Sequence, residues 1–585
     1  MEDTMTKTAK LVEKPDDTSR YNIAAEKNQD SSFVGQRRYF LKTFGCQMNE
    51  HDSEKLGAAL LSDGMLPTDD IDQADVVILN TCCIRENADN KLYGHLGNLR
   101  EKGLANPDFQ VVVAGCLAQR DKEELLKRAP YVDVVLGTNN TSRIAELLKQ
   151  ARETETSVVE VLDYDQADDD DKAFLTTTQE LWMKSKEKSE KRDEEISDPL
   201  ASKMDFPTTD YLKKKHSAFL TIQAGCDNSC AFCIVPSVRG PEVSVPFGKL
   251  TEEARRLADF GVTEITLLGQ NVNSYGRDTT VALRRINGVS HFPEMLRTAP
   301  EIDQMANDRD TRSFNSLDKS TNSTDYEIYM AGMNWVSASR RPRPLFADLL
   351  RAIGEIEQIK RIRFTSPHPK DLRPETIEAM AETPSVCEQL HLPLQSGSDS
   401  VLKAMRRGYS AKTYLERLQR ARLAIDDLAV TTDLIVGFPG ESEEDFLQTL
   451  ELVAEVGFDS AYTFIFSPRK GTRAAQMEGQ FIDEDVIADR FSRLSAVIER
   501  SALEKNLSRV GKIEEVLTEG ISKKDDSYFT GRTRQGKLVH FRPGQTSEST
   551  ANNSTAAKDL QLSVGDYLSV KITKAAPHHL FGEPI

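Results

Sequence analysis

The sequence predicts a multidomain α/β protein with three folded parts: an N-terminal α/β domain with a parallel sheet, a central partial (βα)6 barrel and a small C-terminal β-barrel. Two long stretches of alternating strands and helices predict the first two parts. A closing run of short strands separated by glycine turns predicts the third. The length of 585 residues suits about three to four domains of roughly 150 residues each.

The N-terminal domain is predicted over residues 36–150, after a polar and aperiodic tail at 1–35 that we expect to be disordered. A short strand from Tyr39 to Thr43 runs into a Gly-Cys turn and then an amphipathic helix. Three further apolar runs, ADVVILN, QVVVAG and VDVVLG, each precede a helix. Such uninterrupted apolar runs are typical of parallel strands that are buried on both faces.

Six strand–helix units predict the central barrel over 212–475. Its strands are AFLTIQAG, EITLLGQ, RIRFTSP, EQLHLPLQ, TTDLIVGFP and SAYTFIFSP. The charge blocks of 151–211 predict a solvated acidic linker before it. An Asn-, Asp- and Ser-rich stretch at 278–340 predicts a flexible insertion within it. A connecting helix over 476–510 then leads to the small barrel, which is predicted at 511–583.

The net charge of −18 argues against a protein that coats nucleic acid, although it leaves room for a local basic site. No stretch approaches the about 18 uninterrupted apolar residues that a membrane-spanning helix needs. The N-terminus also lacks a secretory core. We therefore expect a cytoplasmic protein with no membrane partner. Eight cysteines in a chain of this length are too sparse for a disulfide scaffold.

Three cysteines, Cys226, Cys230 and Cys233, lie within eight residues directly after the first strand of the central barrel. Three thiolates at this spacing can hold one face of a 4Fe–4S cluster and leave one iron without a protein ligand. An open iron can chelate the amine and carboxylate of S-adenosylmethionine, whose cleavage by a cluster electron releases an adenosyl radical. The alternative is a structural zinc knuckle, but zinc prefers four protein ligands.

A second set, Cys46, Cys82 and Cys116, follows successive strands of the N-terminal domain. The carboxyl ends of parallel strands meet at one edge, so these cysteines can bind a second cluster there. The alternative is three unrelated buried thiols, because free cysteine is often a small core residue. Cys83 is expected to be a spectator beside Cys82, and Cys387 to be a buried structural residue.

Nine ordered motifs resemble those of the radical-SAM methylthiotransferases, most closely the MiaB-type tRNA enzymes of the bacterial branch. They are TFGCQMNEHDSE, LNTCCIRENA, AGCLAQR, GCDNSCAFCIVPSVRG, LLGQNVNSYG, FTSPHP, HLPLQSGSDSVLKAMRRGY, TTDLIVGFPGESEEDF and FIFSPRKGTRAA. The resemblance covers about 37–150, 214–277 and 342–582. It implies that residues 36–150 form the methylthiotransferase domain, 212–475 the radical-SAM core and 511–583 a TRAM domain.

The resemblance implies two 4Fe–4S clusters and S-adenosylmethionine as cofactors. The auxiliary cluster would lie on Cys46, Cys82 and Cys116, and the radical cluster on Cys226, Cys230 and Cys233. Contacts to S-adenosylmethionine are expected from residues at strand ends of the barrel: Gly269, Gln270, Asn271, Gln395, Ser396, Gly437 and Gly440. No catalytic residue beyond the cluster ligands is expected. The C–H bond that reacts in this family belongs to an adenine ring and is not acidic enough for removal by a base, so a radical must act on it.

The implied reaction adds a methylthio group to carbon 2 of isopentenyladenosine next to the anticodon in tRNA, giving 2-methylthio-N6-(dimethylallyl)adenosine. One S-adenosylmethionine would supply the methyl group and another the radical. An electron donor such as flavodoxin or ferredoxin and a monomeric enzyme are expected. Two related alternatives are methylthiolation of threonylcarbamoyl-adenosine in tRNA or of an aspartate of a ribosomal protein. A different class would be a non-catalytic iron–sulfur or zinc RNA-binding protein.

The last domain resembles the TRAM domain, an OB-like RNA-binding barrel. Six cations concentrate positive charge there in an otherwise acidic chain: Arg532, Arg534, Lys537, Arg542, Lys571 and Lys574. The first three are the expected RNA contacts. The alternative is that they form only a solvated strand face. Three aromatic residues could stack on bases or equally well fill the barrel core: Phe529, Phe541 and Tyr567.

Overall fold

A computed structural model of the chain describes residues 9–14, 37–83, 86–106, 108–162, 216–278, 344–542 and 562–585. The chain divides into two compact units. The first comprises Met1–Thr208, Ala224–Asn228 and Cys233–Glu242, and the second comprises Thr209–Gln223, Ser229–Phe232 and Val243–Ile585.

A seven-stranded sheet with the strand order β1-β7-β6-β5-β4-β2-β3 forms the first unit. All neighbours are parallel except β1, which runs antiparallel to β7. Every residue of the two central strands β4 and β5 is buried, as the apolar runs predicted. The strands are β1 (Lys10–Val12), β2 (Arg38–Thr43), β3 (Leu66–Pro67), β4 (Val76–Thr81), β5 (Gln110–Gly115), β6 (Val134–Leu136) and β7 (Ser157–Glu160).

Helices cover both faces of this sheet and produce two apolar cores. Leu56 and Leu147 belong to the core on one face, whereas Leu96 and Leu117 belong to the other. The helices are α1 (Gln47–Ser62), α2 (Glu86–Ala105), α3 (Cys116–Asp121), α4 (Glu124–Arg128), α5 (Ile144–Thr154) and α6 (Val235–Arg239). The short helix α6 lies far along the chain, yet its residue Val238 packs in the same core as Leu117.

The sheet extends beyond the predicted domain boundaries at both ends. Strand β1 lies within the tail that was expected to be disordered, and β7 lies within the expected linker. They pair with each other, with Lys10 opposite Val159, and Lys14 forms a 2.6 Å ion pair with Asp133. Both expectations are wrong at these residues, because a strand of three or four residues leaves little periodicity to detect. The rest of the tail, residues 163–211 of the linker and residues 279–340 of the insertion lie outside the described residues.

Six parallel strands in two three-stranded sheets confirm the predicted (βα)6 architecture of the second unit. The sheet orders are β12-β11-β8 and β13-β14-β15. The strands are β8 (Ser217–Thr221), β11 (Glu264–Leu268), β12 (Arg361–Phe364), β13 (Gln389–His391), β14 (Ala429–Val436) and β15 (Ser460–Ile465), with two short strands, β9 (Gln223–Ala224) and β10 (Val243–Ser244), between the first two.

Helices alternate with these strands, as the sequence predicted. They are α7 (Phe247–Asp259), α8 (Phe346–Gly354), α9 (Pro374–Glu382), α10 (Asp399–Ala404), α11 (Ala411–Ala424), α12 (Glu443–Val456) and α13 (Glu484–Leu507). Single 3-10 turns lie at Ile71–Gln73, Thr141–Arg143, Val272–Ser274, Pro369–Asp371, Ala474–Gln476 and Glu478–Gln480. Helix α12 begins with a capping box in which Ser442 and Asp445 satisfy each other's backbone N–H groups.

The C-terminal residues form a closed five-stranded barrel in the order β16-β17-β18-β20-β19, which confirms the predicted small β-barrel. Its strands are β16 (Ile513–Ile521), β17 (Phe529–Thr533), β18 (Leu538–Phe541), β19 (Tyr567–Ala575) and β20 (Leu580–Pro584). Phe541 is fully buried in its core and packs against Phe529 at a ring-centroid distance of 6.3 Å. Of the helices in the described ranges, none is both long and apolar enough to cross a membrane.

Candidate iron–sulfur and S-adenosylmethionine site

Three of the predicted ligands lie at one edge of the seven-stranded sheet. Cys46, Cys82 and Cys116 follow β2, β4 and β5, which are neighbours in the sheet. The Cys82 thiol forms a hydrogen bond with Cys46, and the sulfur atoms of Cys46 and Cys116 lie 3.5 and 3.9 Å from the same Asn49 Oδ1. The structure therefore brings these three cysteines together.

Two glycines make this close approach possible. Gly45 has φ of +124°, and a Cβ there would lie 2.3 Å from Cys82 Cβ. Gly115 has φ of +92°, and its Cβ would lie 2.6 Å from the carbonyl oxygen of Thr81. A residue with a side chain would force the strand ends apart, so each Gly-Cys turn has a geometric reason.

The local environment favours the thiolate forms of two auxiliary cysteines. The hydrogen bond from Cys82 lowers the pKa of Cys46 to about 6, and the positive charge of Arg239 acts in the same direction. A hydrogen bond from Cys83 lowers the pKa of Cys116. That bond, together with burial, raises the pKa of Cys83, which stays a neutral thiol within the apolar core. Thiolates are the form that binds iron.

The donor set of these side chains is compatible with a 4Fe–4S cluster. Across the described ranges, no group of three or more His, Cys, Asp or Glu side chains is arranged to hold one ion. In a cluster, each cysteine ligates a different iron, so the thiolates do not converge on one point. Three adjacent thiols at a sheet edge, two of them buried and the third, Cys46, half-buried, suit such a cluster when a positive charge lies beside them.

The positive charge comes from Arg239, at the end of α6. Its Nη2 donates to Asp52 Oδ2 at 2.7 Å and to Asn49 Oδ1 at 3.3 Å. Burial alone would lower the pKa of Arg239, but the charges of Asp52, Cys116 and Cys46 raise it well above its ordinary value, so the guanidinium stays charged. Sequence reasoning missed all three polar residues. The only signal was their place inside the motifs that carry Cys46 and Cys233.

The loop that holds the other predicted ligands is fixed by its backbone. Within the first unit, the N–H of Cys226 donates to the carbonyl of Gly240 at 3.2 Å, and Cys226 Sγ accepts from the N–H of Asn228 at 3.4 Å. Cys233 is followed directly by the turn into α6. Asp227 Oδ1 accepts from the N–H of Glu242 at 2.9 Å, which closes the loop.

Within the second unit, Cys230 lies beside a buried guanidinium. Arg407 Nη1 donates to Cys230 Sγ at 3.3 Å, and its Nε donates to the Tyr409 hydroxyl at 3.1 Å. Tyr409 in turn donates to the carbonyl of Leu394 at 2.8 Å. Arg407 is only 6% exposed, so its charge faces the thiol with little screening. Sequence reasoning missed Arg407, although the motif MRRGY contains it.

The predicted S-adenosylmethionine contacts fall into two groups. Gln270 and Gln395 each have a buried side-chain oxygen with no hydrogen-bond partner among the described residues. The Nε2 atom of His368 has the same property. Buried polar atoms are normally satisfied, so these three atoms suit a bound polar ligand.

The other five candidates already have roles within the protein. Asn271 donates to Asp371 at 2.8 Å and accepts from the N–H of His368 at 3.2 Å. Ser396 bonds with Thr449 at 3.2 Å. The remaining three are glycines in close-packed turns: Gly269, whose Cβ would lie 3.2 Å from a Val272 side chain, and Gly437 and Gly440, whose N–H groups donate to Glu441 and Gln480.

The histidines His51, His368 and His391 differ in their surroundings. Burial lowers the pKa of His51. Burial, with the nearby charges of Arg407, Lys370 and Arg417, lowers the pKa of His368 to about 2, so its ring is neutral near pH 7. His391 bonds with the Thr431 hydroxyl at 2.9 Å.

The three cations expected to contact RNA are paired within the second unit. Lys537, whose side chain is 8% exposed, forms a 2.8 Å ion pair with Asp459. Arg534 pairs with Glu388 at 2.7 Å, and Arg532 pairs with Glu519 at 2.7 Å. The backbone around them is also held, because Arg361 and Arg363 donate to the carbonyls of Arg532, Thr533 and Arg534. These intramolecular contacts depart from the expectation of free phosphate-binding cations.

Three family models match the chain: Uncharacterized protein family UPF0004 over residues 38–137, Radical SAM superfamily over 220–453 and TRAM domain over 507–585. The radical SAM match accounts for the six parallel βα units. S-adenosylmethionine and a 4Fe–4S cluster are the cofactors of such a domain.

Curated relatives match nearly the whole chain. A protein of Mycobacterium sp. (strain JLS) named tRNA-2-methylthio-N(6)-dimethylallyladenosine synthase is 41% identical over 552 residues, which cover 94% of this chain and 89% of the relative. Relatives of the same name from Mycobacteroides abscessus and Nocardia farcinica are 40% identical over 94% of this chain, and 88% and 89% of their own lengths are covered.

Among solved structures, the radical S-adenosylmethionine methyltransferase TsrM from Kitasatospora setae aligns at 10% identity with a TM-score of 0.41, over 75% of this chain and 77% of its own. Identity of about two fifths over nearly the whole length of the curated relatives is decisive by itself. The three-domain order and the gathered auxiliary cysteines agree with it. The chain therefore belongs to the tRNA-2-methylthio-N(6)-dimethylallyladenosine synthase family of radical SAM enzymes.

Proposed function

We propose that the chain adds a methylthio group to carbon 2 of isopentenyladenosine next to the anticodon in tRNA, which yields 2-methylthio-N6-(dimethylallyl)adenosine. The observation that carries this proposal is the 41% identity to a relative of that name over 94% of this chain. The enzyme acts as a monomer on cytoplasmic tRNA and takes electrons from a donor such as flavodoxin or ferredoxin.

Six cysteines would hold two 4Fe–4S clusters, Cys226, Cys230 and Cys233 the radical cluster and Cys46, Cys82 and Cys116 the auxiliary one. When bound, the first cluster supplies the electron for cleavage of S-adenosylmethionine, and the second supplies an open iron for the sulfur to be transferred. The protein gathers the auxiliary ligands at a sheet edge, buries Cys82 and Cys116 there, and favours the thiolate forms of Cys46 and Cys116. Cys83 remains neutral and takes no part in binding.

Gln270 and Gln395 are the barrel residues that contact S-adenosylmethionine. Their buried side-chain oxygens have no hydrogen-bond partner among the described residues. An amide oxygen accepts hydrogen bonds from an ammonium or a ribose hydroxyl, and S-adenosylmethionine carries both. The N–H of His368 donates to Asn271, the residue after Gln270, and the His368 ring offers a neutral nitrogen to the same ligand.

The RNA contact of the small barrel lies on a surface that we call the aromatic face, formed by Tyr528, His540, His579 and Phe581. All four rings are partly exposed and touch one another, with His540 and Phe581 centroids 5.5 Å apart. Exposed aromatic rings are the surfaces on which unpaired bases stack.

Two exposed cations border the aromatic face. The Arg542 guanidinium lies 4.9 Å from the Tyr528 ring centre, and Lys574 Nζ lies 5.8 Å from the Phe581 ring centre. Both side chains are exposed, so they can reach phosphates beside stacked bases. The aromatic face, with its exposed cations, can therefore bind the single-stranded loop of a tRNA. Arg534 and Lys537 are less suited to bind RNA, because they already pair with carboxylates.

Mass spectrometry of tRNA nucleosides tests the reaction. The 2-methylthio derivative should be absent from cells that lack the gene and should return with the wild-type gene but not with Cys46→Ala. If the isopentenyladenosine derivative is unchanged and the threonylcarbamoyl-adenosine derivative is lost instead, the proposed substrate is wrong. Anaerobic reconstitution should give about eight irons per chain, since each cluster holds four. A protein that binds zinc instead of iron would contradict the assignment as an iron–sulfur enzyme.

A further inference from the structure

Arg239 places a buried positive charge next to the auxiliary cysteines. Its side chain is 8% exposed, and the facing carboxylate of Asp52 is 13% exposed. The residue lies six positions after Cys233, so the same short segment carries a predicted ligand of the radical cluster and the cation beside the auxiliary one.

Asn49 connects this cation to two auxiliary sulfur atoms. Its Oδ1 accepts from Arg239 at 3.3 Å and also lies 3.5 Å from Cys46 Sγ and 3.9 Å from Cys116 Sγ. Asn49 is itself held in place, since its Nδ2 donates to the carbonyl of Phe44 at 3.3 Å and its carbonyl accepts from Asn80 Nδ2 at 2.8 Å. The guanidinium and the two thiols therefore share one fixed contact.

The segment that carries Arg239 cannot easily move. The Thr138 hydroxyl donates to the carbonyl of Val238 at 3.1 Å, and the N–H of Cys226 donates to the carbonyl of Gly240 at 3.2 Å. Val238 packs in the apolar core that also contains Cys116. A charge held by the backbone on both sides keeps its distance from the thiols.

We propose that Arg239 is a positioning residue that sets the reduction potential of the auxiliary cluster, with Asp52 as its opposing charge. The proposal rests on the proposed function, because it requires a cluster on Cys46, Cys82 and Cys116. Reduction adds negative charge to the cluster, so a buried cation nearby stabilises the reduced form. The half-buried carboxylate of Asp52 destabilises the reduced form. The two residues therefore act on the potential in opposite directions.

The test uses the full chain with Cys226, Cys230 and Cys233 all changed to Ala, so that only the auxiliary cluster is loaded. Its midpoint potential is measured by redox titration with electron paramagnetic resonance detection, together with iron content and melting temperature. Arg239→Gln should lower the potential, with a change of at least tenfold in the reduction equilibrium, or about 59 mV for one electron. Asp52→Asn should raise it, and Arg239→Lys, which keeps the charge, should stay nearer to the unsubstituted background.

The opposite signs separate electrostatics from folding. Asp52→Asn leaves the buried Arg239 guanidinium without its carboxylate, and Arg239→Gln leaves the half-buried Asp52 carboxylate without its cation, so both should lower the melting temperature. If both variants hold about four irons but their midpoint potentials shift in the same direction, or do not shift, the role of Arg239 is overturned. The auxiliary cluster itself would still stand in that case. If Arg239→Gln loads no iron, the two other variants test the proposal. The midpoint potential should then rise with Asp52→Asn and stay near that of the background protein with Arg239→Lys, and any other result would overturn the role of Arg239. A background that loads no cluster would overturn the auxiliary cluster in the proposed function, and this inference with it.

Discussion

Arg534 holds Glu388 with three hydrogen bonds: its Nε donates to Oε2 at 2.8 Å and to Oε1 at 3.1 Å, and its Nη2 donates to Oε1 at 2.7 Å. The same guanidinium donates to the carbonyls of Pro384 and Val386, each at 2.9 Å. Lys537 makes a comparable contact with Asp459. Cations that the sequence pattern assigned to RNA thus attach the small barrel to the (βα)6 barrel.

We expect Lys537→Ala to lower the stability of the second unit rather than to weaken RNA binding directly. It leaves the Asp459 carboxylate buried and unpaired, and breaking a buried ion pair in this way costs about 3–5 kcal/mol. Denaturant unfolding of the variant measures the loss. Arg542→Ala is the matched control, because its side chain is exposed and its removal should change stability little. Unchanged stability in Lys537→Ala would contradict the structural role.

The double variant Arg542→Ala, Lys574→Ala should weaken tRNA binding and make it less sensitive to salt. Each lost phosphate contact lowers the slope of log affinity against log salt by about one unit. Affinity is measured at several salt concentrations. Arg532→Ala, which removes a cation already paired with Glu519, serves as the control and should leave the slope close to that of the wild type. If Arg532→Ala lowers the slope and the double variant does not, the RNA contact lies on the face of Arg532, Arg534 and Lys537 instead.

Features encoded by short stretches of sequence, such as buried strands and the turns after them, were predicted correctly. The apolar runs predicted β4 and β5, and the turn glycines before Cys46 and Cys116 marked the strand ends where thiols gather. The charge beside those thiols could not be predicted in this way. Arg239 meets Asn49 and Asp52 across 190 and 187 residues of sequence, and no spacing rule spans such a distance.

The same limit explains the cations of the small barrel. A strand or turn residue that is polar in sequence looks the same whether it faces water or a carboxylate from another element. Arg534 and Lys537 therefore resembled an RNA-binding patch until their partners Glu388 and Asp459 were visible. The aromatic face was hidden for a related reason, because its rings come from β18, β20 and the turns beside them.

The two sets of cysteines should separate by function when they are substituted. Cys230→Ala should abolish cleavage of S-adenosylmethionine, because two thiolates hold a cubane cluster poorly. Cys82→Ala should leave cleavage measurable and eliminate sulfur insertion. Deoxyadenosine release and nucleoside analysis report the two steps. Cys83→Ala is the matched control for Cys82→Ala and should be much milder, and a more severe Cys83→Ala would show that the ligand was misassigned.

His368 should make the protein acid-sensitive over a defined range. Its pKa is about 2 when folded, because of burial and nearby cations, so the folded ring does not take up a proton as the pH falls. The unfolded chain does so near its ordinary pKa of about 6.5. The contribution of His368 to the free energy of unfolding is therefore fully present above about pH 6.5, and it falls by about 2 kcal/mol when the pH is lowered to 5. Unfolding of His368→Gln at both pH values should lack this decrement, whereas His391→Gln should retain it.

Deleting residues 281–335 should leave the barrel and its cluster loading intact. The chain on either side of the deletion is already joined, since the N–H of Leu345 donates to the carbonyl of Tyr275 at 2.7 Å. Asp278 is anchored as well, through Ser244 at 2.6 Å. Iron content and melting temperature of the shortened protein check this, and a large fall in either would mean that the segment supports the fold.

The pairing of β1 with β7 bears on how the protein avoids sticking to itself. An uncovered outer strand offers unpaired backbone groups to any other chain that approaches. Here three residues near the N-terminus, Lys10–Val12, pair with β7 and become the outer strand themselves. This strand is very short and brings the lysines Lys10 and Lys14 to the edge, and both features discourage pairing with another chain. A chain trimmed to begin at residue 37 would lose this cover and leave β7 as the outer strand. Trimming the tail to improve crystallisation would then favour association through the very edge that the tail protects.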